Sequence, residues 1–311
     1  MNKFILGSGI VALIARDILG PEWKIIPFYR SRFYTFNPSL DDNYIIRNSD
    51  IDFYVKTLGS NMSIYNYKKA YSIKGMIYDK HDENICNDWA FKMFGGEPPS
   101  HILSYMKHNI SFDVYDIRVN QLYSSLQEKY SNEINSGLEY GKLLKISGHT
   151  IVCENKTVQY DKIVSTIPLN ALCGYSGTAS NLVAKDAHFI HLHTDHLDFE
   201  GNNQLFAVDS FLPFYKVTNV AEKRYMFYFN EPLENPGPFF MSLLRDFDIL
   251  DGTSVKNYLV TGERPNLDHF EADNIFCVGS YAQWDWCMDV SSCILRIVKY
   301  SQRDLKEKKS I

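Results

Sequence analysis

The chain has 311 residues, too many for one typical domain, and so predicts two lobes that each bury a core. Its 45% hydrophobic and 14% aromatic content excludes a disordered chain. A formal charge of −5, from 32 basic and 37 acidic residues, excludes a global basic field for nucleic acid and leaves room only for a local patch.

Residues 3 to 6 (Lys-Phe-Ile-Leu) read as a short buried strand. Residues 10 to 19, IVALIARDIL, read as a helix apolar nearly all round, which must lie between a sheet and other structure. Gly20-Pro21 stops that helix, and Lys24 to Tyr29 is the next expected strand. Pro27 removes a ladder donor there and points to an edge or a bulge. Residues 36 to 112 are polar, aromatic and turn-rich, with no dominant period, and are assigned to a second lobe. Val119, Leu122, Leu126 and Tyr130 have helical spacing. A β-rich stretch follows, with a turn at Glu154-Asn155-Lys156 and a buried strand over Ile163–Ile167 ended by Pro168. Alternation over residues 187 to 230 suggests further strands, notably Tyr225–Phe229. Asn274–Val278 is an apolar strand that breaks at Gly279, and a helix is expected from about Met288 to Tyr300.

No convincing secretory signal or membrane-length apolar run appears, so a soluble, cytoplasmic protein is expected. The six cysteines contain no C-x-x-C pair and fit reduced, buried thiols.

Chemistry first enters at the N-terminal turn. Gly7, Gly9 and Ala12 form a G-x-G-x-x-G/A fingerprint between a strand and a helix. In that motif the first glycine permits the tight turn, the second lets backbone approach a pyrophosphate, and the third position allows close helix–strand packing. The helix N-terminus supplies amides and partial positive charge. A ligand-free strand-to-helix turn is the plain alternative. The stretch "NIFCVGSYAQWDWCMD" places Gly279 at the carboxyl end of another strand, where ligands gather in open α/β sheets. Trp284 and Trp286 could wall a planar cofactor or form a buried aromatic corner.

Two other clusters invite chemistry. "AHFIHLHTDH" carries His188, His191, His193 and His196, but strand geometry puts His191 and His193 on one face and the other two on the opposite face. No metal site is therefore expected. "NYKKAYSIKG" interleaves tyrosines and lysines as a base-stacking surface would, yet a solvated face is the simpler reading.

Four stretches, in order along the chain, carry a family likeness: "ILGSGIVALIARDIL", "YDKIVSTIPL", "PFYKVTNV" and "GSYAQWDWCMD". Through them the chain resembles the FAD-dependent amine-oxidase-like superfamily, particularly the branch containing UDP-galactopyranose mutase. The resemblance implies an α/β chain: a Rossmann-like, GR2-type FAD-binding domain made of residues 1–35, 115–172 and 270–311. Residues 36–114 and 173–269 would form a mixed α+β substrate domain. It implies cofactor contacts at Gly7, Ser8, Gly9, Ile10 and Ala12, at Thr166 and Pro168, and from an "SGLEY" strand near Leu138. The same likeness places Gly279, Ser280 and the backbone of Trp286, Cys287 and Met288 beside the flavin.

Four departures stand out. The acid that the family carries after its second strand is replaced near Arg30, within Arg30-Ser31-Arg32, where cations suit a phosphate, including the 2′-phosphate of NADPH. The family's Gly-Arg turn is Gly279-Ser280. The mutase arginine that grips a nucleotide diphosphate corresponds to Lys216, a cation without a bidentate fork. The "GSYAQWDWCMD" stretch is also shorter than the mutase pattern before Asp289.

The resemblance implies a redox step on a small polar or nucleotide-linked substrate, such as amine oxidation with hydride passing to flavin N5. Lys216 and Tyr281 are the candidate substrate contacts, and no catalytic residue is assigned. A non-redox mutase of a nucleotide sugar, a flavoenzyme acting on a nucleotide or DNA base, and a non-catalytic flavin-binding protein remain the alternatives.

Overall fold

The computed structural model describes residues 1–27, 45–58, 63–74, 76–80, 82–98, 111–115, 117, 119–261, 266–283 and 289–309. In chain order the first elements are β1 (Lys3–Leu6), α1 (Ile10–Leu19), β2 (Trp23–Ile26), β3 (Ile45–Ile46), α2 (Asp52–Leu58), β4 (Ile64–Ile73), β5 (Met76–Tyr78) and α3 (Glu83–Phe94). There follow β6 (Ser111–Tyr115), α4 (Val119–Lys129), α5 (Ser131–Leu138), β7 (Leu143–Ser147), β8 (Thr150–Cys153), β9 (Thr157–Gln159), β10 (Lys162–Ser165) and α6 (Leu169–Ser176). The remainder are β11 (Val183–His193), β12 (Gln204–Ala207), β13 (Phe214–Ala221), β14 (Arg224–Phe229), α7 (Pro236–Leu243), β15 (Asp248–Thr261), α8 (Asp268–Ala272), β16 (Ile275–Cys277), α9 (Ser280–Gln283) and α10 (Val290–Lys309).

Four strands pair in parallel in the order β16-β10-β1-β2. Their residues are apolar on both faces, as a sheet covered on two sides requires. Ile5, Ile25, Val164 and Phe276 join a core with α1, α4 and α10. Phe4, Leu6, Ile26, Ile163 and Ile275 face the β7-β8-β9 meander, α6 and Phe270. β2 is an edge strand and stops just before Pro27, whose missing N–H therefore costs no ladder bond.

A second, larger sheet runs β15-β11-β14-β13-β12-β4-β6-β3, with β5 beside β4. Its pairs are antiparallel except β12–β4. Tyr71, Phe206, Met226 and Tyr228 pack under Trp89 and Met93 of α3. Ile190, Leu192, Phe227 and Phe229 pack on the other face against Phe240 of α7. The two sheets meet where Ile45 and Tyr115, from β3 and β6, enter the core of α1 and α10. There the Ile46 N–H donates to Ser291 Oγ at 2.6 Å.

Two expectations need correction. Residues 36 to 112 hold regular structure, including the ten-residue β4 and twelve-residue α3. α3 is capped by the Asp82 carboxylate, which accepts from the N–H groups of Asn84 and Ile85, and ends at Gly95 in the left-handed region. The "SGLEY" stretch is no strand: Ser136, Gly137 and Leu138 are the last turn of α5. Gly137 lies so close to β2 that a Cβ would overlap the Ile25 carbonyl oxygen, so the helix is held there by close backbone approach. Among the described residues, no helix is long and apolar enough to cross a membrane.

Candidate functional site

The parallel sheet sends all four carboxyl ends to one edge, and the two glycine turns lie on it. β1 exits into Gly7, whose φ of 122° suits only glycine. Its N–H donates to Ile26 O of β2 at 2.9 Å, which closes the turn across the neighbouring strand. On the other side, the Thr166 N–H and Oγ1 both donate to Leu6 O, at 3.0 and 2.9 Å. Thr166 fills the space beside Gly7 so closely that a Cβ on Gly7 would overlap the threonine hydroxyl.

β16 exits at Val278, whose N–H donates to Ser165 O at 3.0 Å, and turns at Gly279 with φ 119°. A Cβ on Gly279 would stand 4.0 Å from Val11 Cγ1 in the first turn of α1. The two distant glycine corners thus belong to one edge, with Thr166 between them. Behind the second corner, Gln283 is fully buried and its side-chain amide donates to Cys277 O at 2.5 Å.

Gly9 is an exposed position on the first turn. A Cβ there would meet nothing within 4 Å among the described residues. It also caps α1 without a side-chain acceptor, and the first turn of α1 carries no acidic residue. Those amides and the partial charge of the helix end suit an anion such as a pyrophosphate. Ala12 is fully buried against the sheet. Ser8 is half-buried between the two glycines, and Ile10 is buried. The backbone of this edge therefore fits a dinucleotide.

The remaining expected residues fall into three groups. Pro168 is buried and precedes α6, Ser280 is half-buried and opens α9, and Tyr281 lies on α9. Leu138 is half-buried at the end of α5, a helix that flanks β2. Arg30, Ser31, Arg32, Trp284, Trp286, Cys287 and Met288 lie outside the described residues.

Asp289 caps α10: its carboxylate accepts the Ser292 N–H at 2.7 Å and its carbonyl accepts from Cys293. Burial pushes this carboxyl up from the usual carboxylate range, opposed by hydrogen bonds from Ser292 and by the ammonium of Lys69. The N-terminal amides of α10 are thus partly taken by the chain's own carboxylate.

The link to Lys69 brings the larger sheet to this edge. Lys69 of β4 and Lys216 of β13 are 5% and 6% exposed, unusual for lysine. The β4–β12–β13 register puts Lys69 beside Gln204 and Thr218, with Lys216 beside Phe206 one step along. Gln204 Nε2 donates to Thr218 Oγ1 at 3.1 Å. The Lys216 ammonium stands 3.9 Å from the Tyr228 ring centroid, and that of Lys69 stands 5.1 Å from Phe112. Sequence reasoning named Lys216 as a candidate substrate contact and placed Lys69 on a solvated face, which the burial of Lys69 corrects; it did not single out Gln204 or Thr218. Only strand pairing separates buried Lys69 from exposed Lys68 next to it.

A parallel sheet with two glycine corners on one edge, joined to a large mixed sheet, defines a mixed α/β fold. The chain shares its fold with solved mutase and oxidoreductase structures of low sequence identity. It is similar to a reduced UDP-galactopyranose mutase structure at TM-score 0.68 and 14% identity, covering 98% of this chain and 96% of that one. It is also similar to cyclohexylamine oxidase from Brevibacterium oxydans IH-35A, at TM-score 0.63 and 10% identity, covering 99% of each chain. A Methanosarcina mazei oxidoreductase gives TM-score 0.62 and 10% identity over 97% of this chain and 100% of that one. By sequence, no family model and no curated protein matches the chain.

Proposed function

We propose that the chain is an FAD-dependent oxidoreductase acting on a small polar or nucleotide-linked substrate. The observation that supports this most is the convergence of the Gly7 and Gly279 corners around Thr166 on one sheet edge. In this reading the pyrophosphate lies over Gly9 and the first amides of α1, and Thr166 and Pro168 line the turn beside it. Residues 36–114 and 173–269 form the substrate lobe, whose Lys216 contacts the substrate. The flavin, when bound, accepts a hydride; the protein supplies orientation and electrostatics.

The test is direct. Purified protein is expected to absorb in the visible range with a flavin spectrum and to release FAD on denaturation. A colourless protein that takes up only NADPH overturns the reading and favours the cations at Arg30 and Arg32.

A second reading is a non-redox mutase of a nucleotide sugar, favoured by buried Lys216 at the place of the mutase arginine and by the likeness in fold. The two separate kinetically. An oxidoreductase loses its visible absorbance when substrate is added anaerobically. A mutase turns over only after prior reduction and leaves the oxidation state of its substrate unchanged.

A further inference from the structure

We infer that Gln283 is a positioning residue that holds the Gly279 corner in shape before the cofactor arrives; this rests on the flavin-site reading above. In a parallel ladder, alternate residues of a strand bond to a given neighbour. The chain through β16 bonds β10 at Asn274 and at Val278, so the Cys277 carbonyl points away from β10. β16 ends its sheet, and among the described residues no strand follows on that side. Gln283 takes the place of one: its side-chain amide donates to Cys277 O at 2.5 Å. Its backbone N–H donates to Gly279 O at 2.9 Å. One residue thus ties the carbonyls on both sides of the Val278–Gly279 peptide, while the Val278 N–H is held by Ser165 O.

The corner needs such a clamp. β16 has only three residues, and the glycine that follows it, at φ 119°, has wide conformational freedom. A glutamine at 0% exposure is unusual, and ordering its side chain costs conformational entropy. The other glycine corner is built the same way. Leu6, Ser165 and Cys277 form one row across the carboxyl edge of the sheet, and Leu6 and Cys277 each end their strand before a glycine turn. A side chain holds each of those two carbonyls: Thr166 Oγ1 donates to Leu6 O at 2.9 Å, and Gln283 to Cys277 O. Gln283 is buried behind the turn, so it acts through the backbone it fixes. A corner already fixed spares the cofactor the cost of ordering it on binding.

The experiment uses the full chain with its bound cofactor. Release of FAD on dilution is followed as the gain in free-flavin fluorescence, and urea midpoints are measured on the same samples. Gln283→Leu keeps the bulk and removes the donor. It should release FAD about tenfold faster than wild type, as loss of one buried hydrogen bond implies. Gln283→Glu sets an acceptor against the Cys277 carbonyl at about pH 8 and a donor at about pH 5, where a buried carboxyl is protonated. Its release should be about tenfold faster than wild type at the higher pH and within about threefold at the lower. Gln283→Leu should show no such recovery. A residue that only fills space would lower the urea midpoint without this pH-dependent rescue. The inference is overturned if Gln283→Leu releases FAD as slowly as wild type, or if Gln283→Glu is equally impaired at both pH values. The glutamate variant at low pH keeps the test open should Gln283→Leu be too unstable to isolate. Hydrogen exchange over residues 275–283 in flavin-free wild type and Gln283→Leu tests the clamp by itself: faster exchange in the variant supports it, and equal exchange overturns it. Should the chain carry no flavin yet show that faster exchange, the clamp stands and only the flavin reading fails.

Discussion

The two sheets solve the same problem, burying strands, by different means. In the parallel sheet the features proposed for the site are backbone: Gly7, Gly9 and Gly279 shape the edge, and Thr166 is placed by two bonds to one carbonyl. In the larger sheet the polar features are side chains: Lys69, Lys216, Gln204 and Thr218 stand on one face among aromatic rings. A backbone site needs few residues at short spacing. A side-chain site needs the right register across strands that are far apart in sequence.

That contrast can be broken most severely from the side of the larger sheet. Trp89 is fully buried, its ring lies 4.5 Å from Phe206, and its Nε1 donates to Tyr215 O at 2.6 Å. Trp89→Ala should cost about 3–5 kcal/mol in urea unfolding, through cavity formation and a stranded carbonyl. Retention of wild-type stability would mean that α3 does not anchor this sheet.

At the other sheet, Gly7→Val forces a side chain into the Thr166 hydroxyl at a φ that branched residues avoid. About 3 kcal/mol of destabilisation is expected, together with loss of co-purifying FAD. Retained stability and stoichiometry would show that this turn is not tightly built.

A third measurement probes what ties the parallel sheet to the last helix. Lys3, 1% exposed, and Lys162 both bond Asp304 of α10, at 2.6 and 2.8 Å. These contacts hold the Asp304 carboxyl at about 2, against burial that alone would raise it. Because its folded-state value lies below the unfolded one, its contribution is fully present above about pH 4 and is lost as the pH falls toward 2. That contribution is about 2 kcal/mol, and Asp304→Asn should remove it and flatten the acid limb of a stability–pH curve. An unchanged acid limb would contradict the depressed carboxyl.

The mildest change sharpens the comparison most. A Cβ at Gly9 meets no neighbour among the described residues, so Gly9→Ala should cost under about 1 kcal/mol, mainly through a poorer N-cap. It should nonetheless lower FAD content, because the methyl group occupies the face the ligand needs. Equal FAD content in this variant and wild type would remove Gly9 from the proposed site.

These differences also explain what could be read from the chain before folding. β1, α1, β10 and β16 were legible because each is a short apolar run closed by its own Gly or Pro. The buried positions Val119, Leu122 and Leu126 of α4, with Tyr130 just beyond its end, follow a plain helical period. By contrast α3 was missed, although Asp82, Gly95 and the buried set Cys86, Trp89, Ala90 and Met93 mark it, because polar residues between them dilute the period. A strand at "SGLEY" was implied only by the family resemblance, whereas Ser136, Gly137 and Leu138 end a helix whose Gly137 lies against β2. The last helix extends to Lys309, beyond the expected end at Tyr300, since a solvated charged face does not terminate a helix. Lys69 was hidden among Lys68 and Lys74, and nothing local distinguishes the three.

The parallel sheet has one further consequence, which concerns how the molecule is made. Its strand β16 leaves the ribosome roughly 250 residues after β2, or on the order of 10–50 s later at usual rates of synthesis. Until then the sheet lacks that strand and the cover of the last helix, whereas the hairpins between residues 183 and 229 can close as soon as they emerge. The part of the protein proposed to hold the nucleotide is therefore the last to be completed, and a nascent chain halted before residue 275 leaves its greasiest strand edges open to chaperones and to aggregation.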